Sequence, residues 1–99
     1  MIPKTFNNFQ DTLNSSEPPA AWSLALQSLW WDAKGNWDAS HNIAQDMNST
    51  MGNWIHAYLH RKEGDDWNAG YWYRQAGRSF PESTFEEELQ ELVESAINT

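Results

Sequence analysis

Three histidines and a glutamate are the residues of this chain whose types and spacing best suit chemistry. His56 and His60 stand four apart, the separation that brings two imidazoles onto one face of a helix and that zinc sites use. Glu63 follows three residues later on the same face, and His41 is able to approach from a neighbouring helix. Together His41, His56, His60 and Glu63 would hold a divalent metal such as zinc with one coordination position open. The same groups would serve general acid–base chemistry, because imidazole titrates near neutrality. The zinc-protease motif H-E-x-x-H is absent, since Ala57 follows His56. The chain also has no Ser or Cys nucleophile in a recognisable setting and no glycine-rich phosphate loop. These gaps weigh against an enzyme, and the sequence requires no cofactor.

The second set of candidates lies just downstream, in the stretch "HAYLHRKEGDDWNAGYWYRQAG" from His56 to Gly77. Trp67, Tyr71 and Arg74 share one side of its second helical segment. If that side borders the Gly52, His56, His60 and Glu63 face, the two enclose a groove of aromatic plates flanked by polar groups. Such a groove suits a peptide or a small polar ligand. The alternative is that Trp67 and Tyr71 are buried under the N-terminal arm or the last helix. The polar run "HRKEGDD" has a plainer explanation. It reads as a helix C-terminus with cations where the dipole favours them, a glycine stop, and acidic caps for the next helix.

The elements that must position these groups are all helices. Residues 1–20 read as an arm with Phe6, Phe9 and Leu13 on one side of a short helix. In "EPPAAWSLALQSLWWDAKG" the two prolines suit a first helical turn. Trp22, Ala25, Leu26, Leu29, Trp30 and Ala33 then form one buried stripe. Leu24 and Trp31, seven apart, make a second apolar line, which predicts contact with neighbours on two sides. Gly35 ends this helix and Asn36 caps the next, "WDASHNIAQDM". A third helix carries Met51, Trp54, Ile55, Tyr58 and Leu59 and closes at Gly64. Asp65 or Asp66 opens a fourth, which stops at Gly77. Thr84 with Glu87, or Ser83 with Glu86, forms a capping box for an amphipathic last helix. No window alternates with the period of a strand.

The middle of the chain repeats itself. "LQSLWWDAKG-NWDASHNIAQ" aligns with "IHAYLHRKEGDDWNAGYWYRQ", matching Gly35 to Gly64 and Trp37-x-Ala39 to Trp67-x-Ala69 across one inserted residue. Units that cannot bury both faces alone must stack. The glycine turn, the small residue two after Trp, and "AGYWYRQAG" resemble tetratricopeptide and Sel1-like repeats over about residues 22–78. The His56–Gly77 stretch is also similar to a family of small microbial proteins without an assigned activity. The expected fold is therefore all-α: an arm (1–20), then one domain (21–99) of two stacked TPR-like hairpins with an amphipathic C-terminal capping helix.

Composition narrows the function classes. With 99 residues and a mean hydropathy of −0.79, the chain has to build its core largely from its seven Trp, three Tyr and four Phe. A net charge of −8 disfavours nucleic acid, whose phosphates are met by Lys and Arg. There is no cysteine, no signal-peptide pattern in "MIPKTFNNFQ", and no apolar run of membrane-spanning length. Together these fit a cytoplasmic protein. The leading expectation is a binding module for a peptide or small polar ligand. A metal-dependent or acid–base enzyme and a homodimer that buries surplus aromatics are the alternatives.

Overall fold

The computed structural model describes residues 3–98; the first two residues of the arm and Thr99 lie outside them. Among the described residues, six α-helices and one short 3-10 turn make up the regular structure, and no strand occurs. The arm forms α1 (Phe6–Asp11), which runs into the 3-10 turn Thr12–Asn14. The first hairpin pairs α2 (Leu24–Ala33) with α3 (Trp37–Asp46), and the second pairs α4 (Thr50–Lys62) with α5 (Asp66–Gln75). The last helix is α6 (Phe85–Ile97).

Local chemistry accounts for most of these boundaries. Asn36 and Asp65 accept from the backbone N–H of Ala39 and Asn68, so each satisfies an orphan donor at the start of a second helix. Gly35 and Gly64 turn the two hairpins at φ of 87° and 84°, a left-handed conformation that other residues adopt at a cost. Of the two possible capping boxes before α6, the one formed is Thr84–Glu87. The start of α2 differs from expectation. Ser23, extended at ψ 158°, caps the Leu26 N–H and begins the helix there, which leaves Pro18 and Pro19 outside it.

The arm is docked. Phe9 is fully buried against Trp22, the Trp30 indole donates to Thr12 Oγ1 at 3.1 Å, and Lys34 Nζ donates to the Leu13 carbonyl. Helix α6 does not follow α5 at the end of the stack. It lies against α2 and α4, the first helices of the two hairpins, and against α1. Leu92, Val93 and Ala96 supply its buried face.

Two buried carboxylates bind this arrangement together. Asp32 on α2 accepts from Tyr58 Oη and Lys62 Nζ on α4, both at 2.9 Å. Burial, reinforced by Asp32, pushes the Tyr58 hydroxyl far above its ordinary pKa, so it remains a donor. Glu88 on α6 accepts from Trp54 Nε1 at 3.1 Å, Tyr73 Oη at 2.6 Å and Arg61 Nη1 at 2.7 Å. Arg61 also donates to the Ser83 carbonyl, which fixes the approach to α6.

Glu88 is only 3% exposed, so its removal strands a guanidinium and two further donors. Glu88→Ala is expected to lower the unfolding free energy by about 3–5 kcal/mol. Glu91→Ala, which breaks only the exposed pair with Arg78, should leave the urea midpoint almost unchanged. Urea denaturation followed by Trp fluorescence checks both.

Candidate metal centre

The junction of the two hairpins is built on Trp37. As the first residue of α3 it lays its indole on α4, and Nε1 donates to the Leu59 carbonyl at 2.8 Å. One turn later His41 stacks on that indole, with centroids 4.7 Å apart and planes 10° off parallel. From α4, His56 and His60 project side by side at 4.8 Å, as their spacing requires. The other end is closed by Trp72 of α5, stacked on His56 at 4.2 Å. The three imidazoles thus lie between two indoles.

The rings converge. His41 Nε2 and His56 Nε2 are 3.0 Å apart and share a hydrogen bond, and His60 meets His41 edge to face at 5.3 Å. One ligating atom from each of the three lies within 4.8 Å of the others. Zinc–nitrogen bonds of about 2.0–2.1 Å at tetrahedral angles separate ligand nitrogens by roughly 3.3–3.4 Å. The His41–His56 pair, at 3.0 Å, is already near that spacing, and the His60 nitrogen, within 4.8 Å of both, has at most about 1.5 Å to close. His56 is 8% exposed and the His60 side chain 12%.

Glu63 takes the position behind His60. Its Oε1 is 2.6 Å from His60 Nδ1, which leaves Nε2 as the other nitrogen of that ring for a ligand. A carboxylate on the far nitrogen fixes ring orientation and raises ligand basicity in metal sites. Asp65, also near His60 and Glu63, is engaged as the cap of α5 through its bonds to Asn68.

Burial disfavours charge here. The His56 pKa is lowered to about 4, first by desolvation and then by the neighbouring His41 and His60. Desolvation and His60 lower His41 as well, against the opposing pull of Glu63 and Asp38. The imidazoles His41 and His56 are consequently neutral at pH 7, the form that binds metals.

A close backbone approach makes the convergence possible. A Cβ on Gly52 would stand 2.6 Å from Met47 Cβ and 2.8 Å from the Met47 carbonyl oxygen. No side chain fits there without moving α4 away from the end of α3.

The remaining candidates do not join this cluster. Trp67 is 79% exposed, and Tyr71 and Arg74 are exposed beside it on the outer side of α5. They are covered neither by the arm nor by α6. The α5 residue that reaches the histidines is Trp72, and with Trp37 it is the functional neighbour that sequence reasoning did not single out. For Trp37 a signal existed, since it precedes His41 by four residues. Trp72 reads equally well as part of the core stripe.

Comparison with protein-family models, with curated proteins and with solved structures gives no match. The chemistry of the site has to be read from its own geometry.

Two outcomes follow from that geometry. In the unfolded chain His56 titrates near 6.5, so between pH 6.5 and about 4 the unfolded state binds a proton that the folded state refuses. The metal-free protein should lose stability as pH falls through that window, and His56→Gln should flatten the slope. Thermal melts from pH 7.5 to 4.5 measure the difference between the two proteins. Gly52→Ala should push α4 outward and part His41 from His56. NMR titration would then show the His56 pKa moving up towards 6.5.

Proposed function

We propose that this chain binds a divalent transition metal, zinc foremost, through His41, His56 and His60 at the junction of its hairpins. One observation carries the reading: three largely buried imidazoles from two helices offer nitrogens within 4.8 Å of one another. The Glu63 carboxylate on His60 Nδ1 adds the outer support that such ligands ordinarily have. An all-imidazole donor set suits zinc, copper or nickel over magnesium or calcium.

Three nitrogens leave a fourth position for water or a small ligand. In sites of that kind zinc lowers the pKa of its bound water to about 7. Binding through Nε2 would move the proton now shared between His41 and His56 to Nδ1 of the ring that carries it, and affinity would fall with acidity as the imidazoles protonate. The ion would also join α3 to α4, which couples occupancy to the stability of the hairpin junction.

A second reading, a site for a small polar ligand, is favoured by a cavity of about 210 Å³ beside the cluster. Gln45, Asp46, Asn48, Asn53, His56 and Trp72 contribute to its walls. His60 is not among the wall residues, which separates the two readings. His60→Gln should abolish metal binding and spare a ligand held by the cavity alone.

Untagged protein titrated with zinc or cobalt should take up one equivalent and melt at a higher temperature. Bound cobalt should give visible absorption bands of low-coordinate geometry. His56→Gln and His60→Gln should remove these responses, and Glu63→Gln should weaken affinity about 10–100-fold. A melting temperature indifferent to zinc, nickel and cobalt would overturn the assignment.

A further inference from the structure

The internal repeat contains an interface whose two halves recur, uncovered, on the outside of the molecule. Within the chain, the α3 face carrying Trp37 and His41 is covered by the α4 face carrying Asn53, His56 and His60. The repeat alignment carries each half elsewhere. Trp37 and His41 correspond to Trp67 and Tyr71 on α5, thirty residues on. Asn53, His56 and His60 correspond to Leu24, Gln27 and Trp31 on α2, twenty-nine residues back.

Each recurring face carries an exposed large apolar side chain, beside the partly buried Gln27 and Trp31 on α2 and the exposed Arg74 on α5. Trp67 is 79% and Leu24 58% exposed, and Tyr71 completes a set of three among the five exposed large hydrophobics of the described residues. Trp31 is half-buried, set edge-on against Trp30. Leu24, Gln27 and Trp31 follow the i, i+3, i+7 spacing of one helix side. Helix α2 meets α3, α4 and α6 within the chain, so the neighbours on two sides that its apolar lines predict are present, and it is Leu24 that none of them covers.

We propose that a second copy of this chain docks head to tail, its α2 face of Leu24, Gln27 and Trp31 covering the α5 face of Trp67 and Tyr71. The contact continues the stack by the rule that already joins the two hairpins. Trp67 takes the place of Trp37, and the partner's counterpart of the Leu59 carbonyl is that of residue 30, in the last turn of α2 as Leu59 is in α4. The interface is heterologous, because the two faces differ, so copies add as open chains or close as a ring.

The copy-to-copy contact differs from the internal one at a corner. Buried Ala44 on α3 corresponds to exposed Arg74 on α5. A guanidinium there has to be desolvated or displaced on docking, which makes association weak and concentration-dependent. In place of imidazoles the joint carries Tyr71, Gln27 and Trp31, so it needs no metal.

Sedimentation velocity with chelator present, over concentrations up to about 1 mM, tests this. The wild type should rise above 11.5 kDa with concentration. Trp67→Ser and Leu24→Ser, both at exposed positions, should keep the circular dichroism of the wild type. Trp67→Ser should weaken association at least about 30-fold, as loss of a central Trp anchor does. Arg74→Ala should strengthen it. Mixing the two Ser variants should restore a one-to-one dimer, since one chain keeps an intact α2 face and the other an intact α5 face. A wild type that stays at 11.5 kDa throughout, association that survives both substitutions, or a mixture that remains monomeric would each overturn the proposal.

Discussion

The hydrogen bond from the Trp37 indole to the Leu59 carbonyl determines how the second hairpin sits on the first. It uses a carbonyl in the last turn of α4, which takes the indole beside a long 3.3 Å bond from the Glu63 N–H. It also orients the ring on which His41 stacks. At the opposite end of the same junction Gly52 lets α4 touch the Met47 backbone. Between these two points the helices have no freedom to separate, and whatever side chains lie there are forced together. In this chain they are three imidazoles. Their mutual contact follows from the junction, and so does the desolvation that keeps His41 and His56 uncharged at pH 7.

The rest of the core explains how so polar a sequence sustains that junction. Aromatic rings fill the interior, but Trp and Tyr each bring a polar atom that must find a partner. The chain answers with buried carboxylates set opposite those donors. Glu88 serves Trp54 and Tyr73, and Asp32 serves Tyr58. Each carboxylate is then matched by a cation, Arg61 or Lys62, from the last turn of α4. No buried side-chain nitrogen or oxygen is left without a partner among the described residues. Consequently α4 is the hub: its C-terminal cations hold α2 and α6, while its histidines face α3.

Much of this was legible in the sequence because it depends on local chemistry. Asn36, Asp65 and Thr84 declare helix starts, and Gly35, Gly64 and Gly77 declare stops, through interactions that span only a few residues. Periodicity likewise identifies which faces are apolar. It does not identify what those faces meet. Leu24 and Trp31 line up as clearly as the core stripe beside them, yet Leu24 lies open. Trp67 matches Trp37 in its place in the repeat, yet it stands 79% exposed where Trp37 is covered by α4. The placement of α6 was hidden for the same reason. An amphipathic helix fits either the end of a stack or the flank formed by α2 and α4, and the choice was made by Glu88, through donors fifteen to thirty-four residues away.

The joint inside the chain and the one proposed between copies indicate what sequence can vary on one backbone plan. A joint between successive hairpins requires a Trp at the start of one helix and a flat face on the next; it leaves the ring one turn after the Trp free to change. Where that ring is His41, the facing positions are His56 and His60, and the joint acquires nitrogens close enough to share a proton. Where it is Tyr71, the corresponding positions are Gln27 and Trp31, with no such set. The imidazole cluster is thus confined to the joint inside the chain, where Trp72 and Trp37 close it from both sides. An imidazole cluster at an open joint would be solvated and free to protonate. Enclosure between the two indoles keeps His41 and His56 in the neutral form that can ligate.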